Sequence, residues 1–161
     1  MILLDFSQTM IGSFMAMGKG SIVVEEDLLR HTVLNSIRQY KHQFRHVDHG
    51  GFVICCDSPK NWRKESFPEY KANRKKRRET DSTDWTSLFE FLHQMIADLR
   101  EYFPYKVMRV ERAEADDIIA VLTQEEIEKI DANLNPETAT ILIKLLGDVS
   151  FLTFVRDNGS N

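Results

Sequence analysis

Gly51-Phe52-Val53-Ile54-Cys55-Cys56-Asp57 is an unbroken apolar run that ends on a carboxylate. A continuous run of this length suits a strand covered on both faces, as in a parallel sheet, where a half-solvated strand would alternate. Ile2-Leu3-Leu4-Asp5 repeats the arrangement. Between the two, Glu25, Glu26 and Asp27 open a helix whose apolar positions Leu29, Val33, Ile37, Tyr40 and Phe44 step by three or four. Beyond them, a helix is expected from about Trp85 to Tyr102, with Trp85, Leu88, Leu92, Met95, Leu99 and Tyr102 as its stripe and Thr83 or Asp84 as its cap. Pro104 stops it, and Tyr105 to Val110 reads as a third strand. A helix from Glu114 to about Lys129 and a fourth strand from Thr140 to Leu146 follow. The alternating order predicts an α/β fold, a mainly parallel central sheet flanked by helices.

The 161 residues fit one domain with a real core, expected over 1–146, with 147–161 a divergent tail whose Asn158-Gly159-Ser160-Asn161 end is frayed. No apolar run approaches the roughly 20 residues of a membrane span, so no membrane partner is expected. The N-terminus lacks the basic and small-residue features of a signal peptide. Cys55 and Cys56 are neighbours, and neighbours in a strand point to opposite faces, so no internal disulfide is expected and the setting is read as cytoplasmic. Met17-Gly18-Lys19-Gly20-Ser21 lacks the spacing of a phosphate-binding loop and reads as a turn. His42, His46 and His49 stand at helical spacing in a polar stretch with no fourth ligand, and read as solvated side chains, not a zinc site.

Charge is divided unevenly. From Lys60 to Glu79 there are nine Lys or Arg against three Glu, while the rest of the chain holds 12 basic and 22 acidic residues. That division suits a protein that grips a polyanion with one element and gathers carboxylates elsewhere. Tyr70, Lys71, Arg74 and Lys75 recur at helical spacing, so one helix face is expected to carry an aromatic ring with several cations. Asp5 and Asp57 fall at the carboxyl ends of strands, where open α/β sheets bind ligands. Glu114-Ala115-Asp116-Asp117 begins the helix after the third strand, and right-handed crossovers bring that helix start to the same edge. Taken alone, each acid is explained by capping or turn chemistry. Together they form an oxygen-only donor set of the kind Mg²⁺ or Mn²⁺ prefers. A cationic, aromatic element beside such a site points to metal-assisted phosphodiester hydrolysis, served best by two ions about 4 Å apart.

Leu3-Leu4-Asp5-Phe6-Ser7, Asp57 after its strand, Phe67-Pro68-Glu69-Tyr70-Lys71-Ala72-Asn73-Arg74 and Glu114-Ala115-Asp116-Asp117-Ile118-Ile119-Ala120 resemble the 5′-nuclease superfamily. That group holds flap endonucleases, bacterial 5′-to-3′ exonuclease domains and phage ribonucleases H, the last being the nearest in likeness. The resemblance implies a nuclease with a basic helical arch, about residues 60–82, that removes RNA primers or flaps during DNA replication. It assigns Asp5, Asp57, Glu114, Asp116, Asp117 and Asp148 to two Mg²⁺ or Mn²⁺ ions, and Lys71 and Arg74 to the scissile phosphate. Tyr70 would stack near the 5′ end, and Arg63, Lys64, Lys75, Lys76, Arg77 and Arg78 would line the single strand. DNA or RNA–DNA flaps would be the substrates, with a single-strand-binding protein or sliding clamp as replication partners, in a host cytoplasm. The family also carries a serine-x-aspartate-glycine-aspartate turn after its fourth strand. Here Lys144-Leu145-Leu146-Gly147-Asp148-Val149 follows, and only Asp148 stands for those acids. The family's helix–three-turn–helix module is expected to be absent. Two other readings share these residues: a PIN-type RNA endonuclease, distinguished by cutting unstructured RNA regardless of a 5′ end, and an inactive remnant that binds single strands without turnover.

Overall fold

The structure, a computed structural model, describes residues 1–17, 24–46, 51–133, 141–146 and 149–154, with side chains up to 126 except that of Lys75. The two apolar runs form β1 (Ile2–Asp5) and β2 (Phe52–Cys55), paired in parallel with Asp5 opposite Cys55. β3 (Lys106–Met108) lies parallel on the other side of β2, giving the order β1-β2-β3. Strand alternation sends Ile2, Leu4, Phe52, Ile54 and Cys56 to one face and Leu3, Val53 and Cys55 to the other.

The first face is covered by α1 (Phe6–Ala16), α2 (Glu26–Gln43) and α5 (Trp85–Tyr102), which contribute Phe6, Met10, Phe14, Leu29, Val33, Ile37, Leu88, Met95 and Leu99. The second is covered by α6 (Ala115–Asn133) through Ala115, Ile118 and Ile119. Each fully buried Leu, Ile or Phe here contributes about 1.5–3 kcal/mol of transfer free energy. The adjacent cysteines fall into different cores, and burial pushes both thiols up to about 12. Among the described residues no helix is long and apolar enough to cross a membrane.

α2 follows its sequence pattern, and α5 has its expected bounds, with Asp84 capping it by accepting from the Ser87 amide at 3.1 Å; Tyr102, expected on its apolar stripe, is exposed at its last turn. α1 is an element the sequence pattern was not read to contain. It begins directly after β1, and Asp5 caps it by accepting from the Gln8 amide at 3.0 Å. The third strand is shorter than its apolar pattern. Phe103, before Pro104, is extended, and Arg109 turns away to donate to the Asp57 carbonyl at 3.0 Å. β4 (Ile141–Leu146) runs beside β1 but pairs antiparallel with β5 (Val149–Phe154), so the segment read as a divergent tail contains a strand and the fourth strand makes a hairpin. Asp148, the frayed end at 158–161 and the residues 18–21 read as a turn lie outside the described residues.

Between β2 and α5 the chain forms α3 (Trp62–Ser66) and α4 (Ala72–Glu79), in the basic segment expected as an arch. Among the described residues neither holds a buried one. Tyr70, Lys71 and Arg74 do not share one helix: Tyr70 lies in the turn, and Lys71 is a left-handed residue at φ 58° that precedes α4 without capping it. A left-handed lysine breaks the helical path, so the expected continuous helical face is replaced by a turn carrying Tyr70 and Lys71, followed by α4 carrying Arg74.

A candidate metal and nucleic-acid site at the sheet edge

Both strand-end aspartates serve as helix caps. Asp5 starts α1, and Asp57 reaches across to accept from the Ala115 amide at 2.8 Å, fastening the start of α6 to the end of β2. Capping and a ligand role are compatible, because a carboxylate has lone pairs for more than one donor. Asp57 is itself steadied from below by Arg109. Glu114 follows Ala113, whose carbonyl accepts from the Ser58 amide at 2.9 Å, and it is almost wholly buried. Crossover topology therefore brings acids from three distant parts of the chain together.

Asp5, Asp57, Glu114 and Asp116 line one cavity of about 690 Å³, together with Lys71, Arg74 and Arg78 from the basic segment. Gln8, Gly12 and Ser13 of α1 and Tyr40 of α2 also line it. Lys71 Nζ lies 2.6 Å from Glu114 Oε1, Tyr70 donates its hydroxyl to Oε2 at 2.9 Å, and Arg63 approaches Oε2 at 3.4 Å. Burial pulls the Lys71 ammonium down, but its bonds to Glu114 and Tyr70 outweigh that, and its pKa ends raised.

Asp117 stands just outside the cavity. It accepts two bonds from Arg63, at 2.7 and 2.5 Å, one from the Trp62 indole at 3.3 Å and one from the Glu114 amide at 2.9 Å. The Arg63 guanidinium, chiefly, holds its carboxyl down at about 2 against a smaller opposing effect of burial. Arg63, expected along the strand path, is thus bound to the acids of α6. Its guanidinium also stacks 4.7 Å from the Trp62 ring centre and 5.8 Å from that of Tyr70. Arg78 rests over Trp85 and Phe89 at 5.0 and 4.7 Å, docking the end of α4 on α5. Burial and then Arg74 lower its pKa. Lys64, Lys76 and Arg77 are exposed and make no ion pair among the described residues. His42 and His46 are exposed beside Arg45, and α2 ends at Gln43, ahead of His46.

Among the described residues, no three acids stand close enough to ligate one ion as placed. Lys71, Arg63 and Tyr70 occupy Glu114, while Asp5 and Asp57 are drawn towards their helices. The donor set nonetheless fits a hard divalent cation: it is all oxygen and lines a single cavity.

Trp62, Arg109, Gln8 and the α1 wall were not singled out in the sequence. A signal for α1 was present in Asp5-Phe6-Ser7-Gln8, the spacing of a capping box. Trp62 could have been noticed as a tryptophan set inside the basic segment.

Residues 1–136 match a family described as "5′-3′ exonuclease, N-terminal resolvase-like domain". Over 124 residues the chain is 36% identical to a protein named ribonuclease H from Enterobacteria phage T4. That match covers 76% of this chain and 41% of the relative, so the chain spans less than half of the relative's length.

Proposed function

This chain belongs to the family of 5′-3′ exonuclease N-terminal, resolvase-like domains, and from that premise we propose that it hydrolyses phosphodiester bonds near the 5′ ends of flap- or primer-bearing strands. The substrates are DNA or RNA–DNA flaps, and the biological task is removal of primers or flaps in replication. The nuclease unit is residues 1–146, with its arch over about 60–82. The observation that carries the reading is that Asp5, Asp57, Glu114 and Asp116 line one cavity together with Lys71, Arg74 and Arg78.

Asp5, Asp57, Glu114 and Asp116 would hold two Mg²⁺ or Mn²⁺ ions, with Asp117 and Asp148 as the further acids of the set. Such ions, when bound, supply a hydroxide nucleophile and neutralise charge on the phosphate. The protein's own groups do the positioning. Lys71 and Arg74 take the non-bridging oxygens of the scissile phosphate and offset the charge that builds there. For that, Lys71 must leave Glu114, which frees the carboxylate for its ligand role in the same movement. Arg63 stays paired with Asp117 and keeps the start of α6 in place. Arg78, Lys64, Lys75, Lys76 and Arg77 guide the single strand towards the cavity.

The test is release of a 5′-labelled flap by the purified chain with Mg²⁺ and with EDTA. Metal-dependent release that Asp116→Asn abolishes is the expected result. Undiminished release by that variant would overturn the site. Cutting of unstructured RNA without regard to a 5′ end would favour the PIN-type RNA endonuclease, and salt-sensitive binding without turnover the binding remnant.

A further inference from the structure

We propose that Trp62 is a stacking site for an unpaired nucleobase, set at the foot of the arch beside the acids. The inference rests on the proposed nucleic-acid function and adds a contact that the sequence motifs do not contain. Trp62 is 45% exposed, although it belongs to the residue type with most to gain from burial. Its position is nevertheless fixed from several directions. Its backbone amide donates to the Arg112 carbonyl at 3.0 Å, its indole N–H donates to Asp117, and Arg63 packs 4.7 Å from the ring centre. An exposed indole held by polar anchors and not by core packing keeps its orientation while its surface stays in water. That is the arrangement a base platform requires, since stacking then costs little ordering.

Tyr70, the aromatic the sequence nominates for stacking, is differently employed. Its hydroxyl is bound to Glu114 and its ring lies against Arg63 and Lys71, at 5.8 and 4.9 Å. Trp62 connects to the same acids from outside through the chain of contacts Trp62–Asp117–Arg63–Glu114. A strand whose phosphate enters the cavity would therefore find the indole next to the site, with the exposed Lys64 near it in the chain to meet the backbone. The ligand class is an unpaired nucleotide of any sequence, because every base has a face to stack. The plainer account, that the indole serves only to brace Asp117, needs its N–H and not its exposed surface.

The experiment uses a fluorescent single-stranded oligodeoxynucleotide and the 5′-flap substrate, in EDTA so that nothing is cut. Trp62→Leu should weaken binding roughly tenfold, within the range of one base–aromatic stack, whereas Trp62→Phe, which keeps a ring and loses the N–H, should stay within about threefold. Phe67→Leu, at a more exposed aromatic with no link to the acids, should change little. In a Trp85→Phe background the emission of Trp62 should be quenched by the oligonucleotide. An abasic nucleotide at the stacking position should remove the quench and add no further loss to Trp62→Leu. Binding that is indifferent to Trp62→Leu, or equal losses in Trp62→Phe and Trp62→Leu, would overturn the stacking site alone. No binding by the unmodified chain would overturn the functional reading, and the stacking site with it.

Discussion

The edge of the sheet and the arch are held in place by different forces. Asp5, Asp57 and Glu114 follow strands and turns whose neighbours, such as Leu4 and Ile54, are almost wholly buried. The arch has no buried residue in α3 and is fastened by Lys71 and Tyr70 on Glu114, Arg63 on Asp117, and Arg78 on two aromatic rings. Hydrophobic burial fixes the acids whatever the site contains. Lys71 and Arg63 are fixed by the acids, so whatever else binds those acids also acts on where this part of the segment goes. The frame can be stiff while the grip remains adjustable, because the two draw on separate sources of free energy.

The sharpest way to separate them is Asp116→Asn. It should reduce metal-dependent flap cleavage by about 10³-fold or more while leaving the melting temperature within a few degrees, since charge at the reacting centre acts mainly on the transition state. A melting temperature that collapsed with the activity would mean the acids are part of the frame after all. Leu99→Ala, in the fully buried stripe of α5, should cost about 2–5 kcal/mol of stability by chemical denaturation. A similar loss from any arch residue would break the contrast.

Lys71→Ala should slow cleavage by about 10²-fold at saturating substrate, with little change in affinity for the flap. An equal loss of binding and rate would reduce Lys71 to an electrostatic tether. The same variant should bind Mn²⁺ more tightly in the absence of nucleic acid, because Glu114 then has one competitor fewer; unchanged or weaker affinity by paramagnetic titration would argue against the competition.

Acid tests the joint between the regions. The Asp117 carboxyl is held down at about 2 in the folded chain, below its ordinary value, so the folded state favours the ionised form. That contribution is fully present above about pH 4 and is lost as pH falls towards 2, roughly 2 kcal/mol in all. Asp117→Asn should remove this step from the acid limb of the stability curve. An identical limb in both proteins would show that the Arg63 pairing adds nothing. The smallest effect expected is at Gly12 in the middle of α1, where an added methyl group meets nothing within 4 Å. Gly12→Ala should raise stability by about 1 kcal/mol from helix propensity alone.

What could be read from the sequence follows the same division. The continuous apolar runs before Asp5 and Asp57 leave one solution, strands covered on both sides, and so the parallel sheet, α2, α5 and α6, and the edge where the acids gather are legible. The bounds of α5 were legible because its cap, most of its stripe and its terminal proline agree, although Tyr102 of that stripe is exposed. The arch was legible in composition but not in shape. Tyr70, Lys71 and Arg74 have helical spacing, yet the left-handed Lys71 is held by Glu114, more than forty residues ahead, and no local propensity encodes such a contact. α1 was overlooked because it follows β1 without a loop. The strand at Ile141–Leu146 was legible, but its partner was not. The hint lay in Gly147-Asp148, a two-residue link of the kind hairpins use between two apolar runs.

The parallel topology also sets an order of events during synthesis. Asp5 leaves the ribosome more than a hundred residues ahead of Glu114 and Asp116, and the basic segment emerges between them. At about 5–20 residues per second, the nascent chain carries a cationic grip for several seconds before its last acids exist. A growing chain can therefore meet RNA, including its own message, well before it holds the carboxylates proposed to cut it. Assembling the site from the two ends of the fold delays the hazard until α6 has closed over the sheet.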